Sequence, residues 1–392
     1  MKEIVILEGA RTPMAEYNGH FSDLSAIELG AIAAKEAMRR ASVDPAEIDH
    51  VIVGNALQTS ADAIYGARHV GLKAGVPIPV PALTVNRLCG SGIQSIISGA
   101  EQIMLGEAKT VLAGGMENMS QAPFVLRGAR KGFRLGGGQL EDSLMAALLD
   151  TYTGFYMAQT SDNLANKYAI SREEQDSFAL SSQMKAADAW TSGRLAEEVI
   201  PVAVGRKGEL FSQDDHMKPD TTIEGLAKLK PAFGKDGYVT AGNASGIVDG
   251  GAMVVVSSAD DARASNRKPL GKIVSWGITG CDPQIMGIGP VAASKLALDR
   301  AGLKLDQMDL VEINEAFAGQ ILAVARELEL DMTKLNVNGG AIALGHPLGA
   351  SGTRLVITLL YELRRRKARY GLASACIGGG QGIAMIVENA DA

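Results

Sequence analysis

Apolar residues recur along the chain in two rhythms that alternate. Ile4-Val5-Ile6-Leu7 is a short continuous apolar run, the mark of a buried strand over 4–8. From Leu24 to Arg40 the spacing changes, and Ala26, Ile27, Gly30, Ala34, Ala37 and Met38 fall on one helical face. Val51-Ile52-Val53, bounded by Gly54, predicts a second strand. Cys89 to Gly106 predicts a helix with Ile93, Ile96, Ile97, Ala100, Ile103 and Met104 inward, and Thr110–Ala113 a strand closing on Gly114-Gly115. Strand, helix and strand in this order predict right-handed βαβ units and a largely parallel sheet.

The rhythm returns near the C-terminus, and there residues line up. Ala33–Ala41 matches Ala293–Ala301, and Asp49–Val53 matches Asp309–Ile313, both displaced by 260 positions. Thr84-Val85-Asn86 echoes Asn336-Val337-Asn338, and Gly114-Gly115 echoes Gly378-Gly379. One order throughout, with one offset for the first two matches, points to an internal duplication, each copy large enough for a domain. Between the copies, Met119 to about Gly242 is richer in loops and charge. Its clearest element is a helix opening on the capping box Ser171-Arg-Glu-Glu174 and running to about Trp190. An insertion of that length is expected to serve substrate recognition.

Composition narrows the function. Apolar residues make up 46% of 392, charged residues 21%, and the net charge is −6, so a globular core is available and a polyanion footprint is not. Nucleic acid is excluded as the main partner. The longest uncharged stretch, Leu335–Thr353, carries five Gly and a Pro, which no bilayer span would use. Met1-Lys2-Glu3-Ile4 leads into a strand without a signal-peptide core, and the end Glu-Asn-Ala-Asp-Ala is no peroxisomal tail, so a cytoplasmic location is expected. Three scattered Cys build neither a disulfide framework nor a zinc site. Glycine is in excess, 46 residues against a usual share of about 7%, and its clusters mark the candidate chemistry.

Cys89 sits in Asn86-Arg-Leu-Cys-Gly-Ser-Gly92, where a loop opens a helix. Free backbone N–H groups and the helix dipole would favour its thiolate there, although a small buried thiol is the plainer reading. His346, in Gly345-His-Pro-Leu-Gly349, has no acidic or His neighbour that would suggest a metal, and suits either a structural role or a base meeting substrate. Cys376 precedes Gly378-Gly-Gly380; the run leads into another strand, Ile383–Val387, and so is no dinucleotide fingerprint. Asn314 and Glu315 end a strand of the second copy, where open sheets place ligands or where Asn caps a helix. Cys281 lacks such a context and reads as structural.

Taken together, these segments resemble the thiolase family over essentially the whole chain. Asn86–Gly92, Gly115-Met-Glu-Asn-Met-Ser120, Thr240-Ala-Gly-Asn-Ala-Ser-Gly246, Asn314-Glu-Ala-Phe317, Asn338-Gly-Gly-Ala-Ile-Ala-Leu-Gly-His-Pro347 and Cys376-Ile-Gly-Gly-Gly380 are similar to its signatures, in its order. Asp62-Ala-Ile-Tyr65 and Met286-Gly-Ile-Gly-Pro290 look most like 3-ketoacyl-CoA thiolases of the mitochondrial kind and their bacterial relatives. The resemblance implies an α/β fold of two duplicated βαβαβαββ halves in five layers, α/β/α/β/α, with an inserted loop domain. The N-terminal half would span 1–118, completed by about 243–268. The loop domain, for coenzyme A binding and tetramer contact, would span 119–242, and the C-terminal half 269–392.

The implied activity is that of an acetyl-CoA C-acyltransferase exchanging acyl groups among 3-ketoacyl-CoA, CoA and acetyl-CoA. Cys89 would be the nucleophile, His346 its base, and Cys376 the acid and base at the α-carbon. Asn314 would hold a water for the enolate oxygen, and the backbone N–H groups of Cys89 and Gly378 would form a second oxyanion hole. The coenzyme A contacts would be Met157, Lys218, Phe233, Ala244, Ser245, Met286, Ala316 and Phe317. Coenzyme A is then a substrate, and neither a metal nor a redox cofactor is implied. A homodimer or homotetramer is expected, with part of 119–140 as tetramer contact. Three positions depart from the acetoacetyl-CoA-forming pattern: Tyr156 for a His, Gly225 for a Ser, and Lys218 for an Arg. They bear on chain length and nucleotide contact; Tyr156, with the Met286 segment, favours the degradative type over an acetoacetyl-CoA-specific acetyltransferase. A decarboxylating β-ketoacyl synthase is disfavoured by Cys376, and a non-catalytic acyl-CoA carrier by the presence of Cys89 and His346.

Overall fold

The computed structural model describes residues 2–392. In chain order its main elements are β1 (Ile4–Arg11), α1 (Ala26–Arg40), β2 (His50–Gly54), α2 (Gly66–Ala74), β3 (Ala82–Val85), α3 (Ser91–Leu105), β4 (Thr110–Glu117), α4 (Met157–Lys167), α5 (Arg172–Thr191), β5 (Val248–Ser258), β6 (Gly271–Gly280), α6 (Gly289–Ala301), β7 (Leu310–Ile313), α7 (Ala318–Leu328), α8 (Leu348–Arg366), β8 (Tyr370–Ile377) and β9 (Gln381–Asn389). Capping boxes at Ser25–Glu28 and Ser171–Glu174 set where α1 and α5 begin, each side chain satisfying an otherwise free N–H.

The strands form one sheet in the order β7-β8-β9-β6-β1-β5-β4-β2-β3, with the short strand Ala15–Glu16 pairing onto β5. The sheet is mixed and not largely parallel as the sequence suggests. Only β2 with β3 and β4, and β7 with β8, run parallel. The last strand of each half arrives without the helical crossover that parallel strands need. β9 turns back through Gly378–Gly380, and β5 enters after the long insertion.

Three apolar cores divide this sheet into five layers. Ile93, Ile96 and Ile97 of α3 and Leu355, Val356 and Leu359 of α8 fill the middle, against Val111 and Val254 on one side and Ala375 and Met385 on the other. α1 and α2 cover the outer face of the N-terminal strands, and α6 and α7 that of the C-terminal strands. The duplication is visible in hydrogen bonds as well as in elements. Asp49 Oδ2 accepts from Lys109 N and Thr110 N at 2.8 and 3.0 Å. Asp309 Oδ2 accepts from Arg369 N and Tyr370 N at 2.8 and 2.9 Å, each residue 260 positions on. The middle helices cross at equivalent glycines. A Cβ on Gly92 would stand 2.5 Å from Thr353 N, and one on Gly352 2.6 Å from Ile93 N. Glycine is required at both, because only a missing side chain lets two helix backbones approach so closely.

Candidate active site

The middle-layer helices begin at one end of the sheet, and the candidate residues gather there. Cys89 lies in a single 3-10 turn, Leu88–Gly90, that feeds α3. Leu88 has φ +46°, a left-handed conformation uncommon for a leucine, and its neighbours hold it there. Leu88 N donates to Asn86 Oδ1 at 2.9 Å, Arg87 N to Ser91 Oγ at 2.8 Å, and Ser91 Oγ to Leu88 O at 2.7 Å. The turn leaves Cys89 half-buried against Met119, Leu144, Leu348 and Leu57. Burial pushes its thiol up to about 11, outweighing the backbone N–H groups of Gly378 and of Cys89 itself. The stabilised thiolate expected from the helix start is therefore not the resting form. Dehydration by the surrounding core dominates, and a base is needed to ionise the thiol.

His346 is buried in the turn before α8. Ser351 Oγ donates to Pro347 O at 2.9 Å and lies 2.6 Å from His346 Nδ1. With its own proton committed, Ser351 accepts, so we assign the proton of His346 to Nδ1 and leave Nε2 as the free acceptor. Nε2 faces Asn314 Nδ2 at 3.3 Å. Burial, and next the charge of Arg354, push His346 down to about 3, so the ring is neutral at pH 7. Asn314 is itself fully buried at the end of β7, and among the described residues its Oδ1 finds no partner. Such an atom needs a water or a ligand oxygen's proton.

Cys376 ends β8 with no exposure, and burial followed by the fields of Cys89 and Cys281 raises its thiol well above the usual range. It packs with Met286 and Ala316, and with Met157 and Phe317. Gly378, just beyond, stands so close to the turn that a Cβ would touch Met157 Sδ at 3.2 Å and Leu88 Cδ1 at 3.4 Å. Cys281 is half-buried beside this cluster, its thiol pushed up to about 11 by burial and Asp282.

A largely apolar cavity of about 240 Å³ opens beside these groups. Met157, Phe233, Ala244, Ser245, Phe317 and His346 line it, with Met119 and Leu348 joining it to Cys89. Tyr156 lies against Phe233, ring centroids 5.0 Å apart. Lys218 is set apart from the others. It lines a neighbouring cleft of about 340 Å³ with Gly225, and its Nζ donates to Glu16 at 2.7 Å. Ser351, Met119 and Glu117 belong to the site although residue-by-residue reading assigns them no role. Met119 and Glu117 stand inside the quoted signature Gly115–Ser120, and Ser351 lies four residues beyond Asn338–Pro347; nearness to a Gly-rich turn is the available signal. Among the described residues no cluster of His, Cys, Asp or Glu is placed to hold a metal, and no helix is long and apolar enough to cross a membrane.

Comparison with known proteins agrees along the full length. Residues 4–260 match the family described as thiolase, N-terminal domain, and residues 267–389 that described as thiolase, C-terminal domain. The chain is 52% identical over 392 residues to the human protein named 3-ketoacyl-CoA thiolase, mitochondrial, covering 99% of both chains. It is 49% identical over 389 residues to an acetyl-CoA acetyltransferase of Pseudomonas aeruginosa, covering 98% of this chain and 99% of that one. A crystal structure of the human mitochondrial 3-ketoacyl-CoA thiolase in complex with CoA superposes with a TM-score of 0.97, at 52% identity and covering 99% of this chain and 98% of that one. The word mitochondrial, in the names of the human relative and of those from Pongo abelii and Bos taurus, overturns the expected cytoplasmic location. A compartment is an address read by receptors, so the patterns of a folded core do not encode it.

Proposed function

The chain belongs to the thiolase family, and from that premise we propose how its own residues perform reversible thiolysis of a 3-ketoacyl-CoA by CoA. Cys89 sulfur attacks the ketone carbon while His346 Nε2 takes the thiol proton. The bond between the α-carbon and that carbon breaks, its electron pair passes to the acetyl-CoA enolate, and Cys376 protonates the α-carbon. Acetyl-CoA leaves, and the shortened acyl group stays on Cys89 as a thioester. The CoA thiol then gives its proton to the Cys376 thiolate and attacks the thioester. Cys89 departs and recovers its proton from His346, closing the cycle.

The single observation that carries this reading is the buried, neutral His346 whose Nε2 is left free beside Asn314. Once protonated, Nε2 would become a donor beside the water that Asn314 would hold, where the enolate oxygen develops its charge. That donor pair exists only while the reaction is under way, so it favours the transition state over the ground state. The N–H groups of Cys89 and Gly378, which already oppose the rise of the Cys89 thiol, support their role toward the thioester oxygen.

The apolar cavity supports binding of the pantetheine arm and acyl chain, and the cleft at Lys218 that of the nucleotide, with residues 119–242 supplying much of both. The apolar wall of Tyr156 on Phe233 favours chains longer than four carbons. Edge strand β3, with Leu83 and nearby Ile64 and Tyr65 exposed, supports a homodimer, and exposed Phe124, Phe133 and Leu135 support a tetramer contact.

Incubation with a 3-ketoacyl-CoA, read by intact mass, should give an acyl adduct on the wild type and none on Cys89→Ser. A full adduct on the variant overturns the assignment. Thiolysis of acetoacetyl-CoA against six- to ten-carbon substrates tests chain length; activity confined to four carbons favours the acetoacetyl-CoA-specific alternative.

A further inference from the structure

The signature Gly115–Ser120 has no part in the chemistry above, yet it carries a buried carboxylate whose field reaches the nucleophile. Glu117 ends β4 with no exposure. Its Oε1 accepts from Asn55 Nδ2 at 2.8 Å and Leu57 N at 3.0 Å, and its Oε2 from Ala56 N at 3.0 Å and Gly349 N at 2.8 Å. Burial pushes the Glu117 carboxyl up to about 7, against the backbone N–H groups of Leu57, Ala56 and Gly349; two N–H donors on each oxygen leave no lone-pair site for a proton of its own, so the hydrogen-bond geometry is that of the anion.

The donors come from both sides of the site. Ala56 and Leu57 pack in the same apolar cluster as Cys89. Gly349 lies in the first turn of α8, whose N-cap residue is Pro347, with no side-chain acceptor to offer. Glu117 therefore supplies from the other half of the molecule the negative cap that this helix start needs. The same turn carries Ser351, which orients His346, and the backbone leaves little slack. A Cβ on Gly115 would stand 1.8 Å from Gly349 O, and one on Gly349 2.5 Å from Met116 O.

We infer that Glu117 is a positioning residue of the reaction: one buried anion that fixes the wall beside Cys89 and the helix start that orients His346, and whose charge faces the nucleophile. The inference rests on the thiolytic reading above. The charge opposes ionisation of Cys89, in keeping with a thiol that is held protonated until the base acts. Asp249 on β5 is the other acid whose field reaches Glu117, Cys376 faces Cys89 from β8, and His346 shares the cavity.

Two substitutions separate charge from reach. Glu117→Gln removes the charge and turns one acceptor oxygen into a donor facing two N–H groups. Glu117→Asp keeps the charge and shortens the reach by one methylene. The measurements are kcat and KM for thiolysis, and the iodoacetamide alkylation rate of Cys89 across pH, read by peptide mapping. For Glu117→Gln, kcat should fall about tenfold or more with KM within about threefold, and alkylation near pH 8 should speed up roughly tenfold, one pKa unit. For Glu117→Asp, kcat should fall similarly while alkylation stays within about twofold of wild type. A folded Glu117→Gln with wild-type kcat and alkylation overturns the inference. If that variant does not fold, an unchanged kcat in Glu117→Asp overturns it. If neither folds, Asn55→Ala decides: the same carboxylate with one donor fewer should lower kcat about threefold, and wild-type kcat overturns the inference. An acyl adduct on wild-type Cys89, measured in parallel, tells failure of this inference from failure of the thiolytic reading.

Discussion

The two halves place equivalent serines at equivalent helix starts and use them differently. Ser91 and Ser351, 260 positions apart, both stand in the first turn of a middle-layer helix. Ser91 spends both its hydrogen bonds on backbone, accepting from Arg87 N and donating to Leu88 O, and so locks the strained turn that presents Cys89. Ser351 donates to backbone in the same way, but its acceptor side is turned to His346. On the proposed mechanism, one copy became a nucleophile's elbow and the other a base's cradle, with the helix start and its hydroxyl kept. The strand ends diverged alongside, Met116 and Glu117 in one half standing where Cys376 and Ile377 stand in the other.

The comparison can be tested in order of expected effect. His346→Asn removes the base, and thiolysis should fall about 10²- to 10⁴-fold; residual activity near wild type in a steady-state assay would remove His346 from the mechanism. Ser351→Ala should lower kcat on the order of tenfold, because His346 loses the partner that fixes its tautomer. Ser91→Ala should act on stability, lowering it by about 1 kcal/mol in urea unfolding with kcat changed about threefold or less. Equal effects of the two serine variants on kcat would erase the division of labour drawn above.

The smallest effect concerns pH. His346 is neutral in the folded protein down to about 3, but takes a proton near its ordinary 6.5 when unfolded. The unfolded chain therefore binds more protons between those values, so this group's stabilisation is complete above 6.5 and lost on acidification. The slope is at most about 1.4 kcal/mol per pH unit. His346→Asn should flatten the fall of Tm between about pH 6.5 and about pH 5; a parallel fall would assign it to other groups.

Local signals were legible in the sequence, and signals made across the fold were not. The capping serine of α5 and the Gly run between β8 and β9 act on their own neighbours and could be read from them. Helix α8 carries a polar stripe of Ser351, Arg354, Thr358 and Glu362, yet the fold buries it all round from Leu348 to Leu363, so the stripe meets protein instead of solvent and local pattern does not reveal it. Glu117 draws its donors from residues 55–57 and 349, which no spacing rule connects. The resting state of Cys89 departs from what the helix start favours for a similar reason: the helix start is local, whereas the burial that overrides it is assembled by both halves.

One ladder joins those halves, Ile4 to Ile273, Val5 to Lys272 and Ile6 to Gly271. Together with the shared helical layer, it means that neither half can melt without stripping the other of its inner wall. The duplication doubled the chain but left one middle layer that both copies share. Cys89 and His346, contributed by different copies, therefore owe their mutual register to that shared layer.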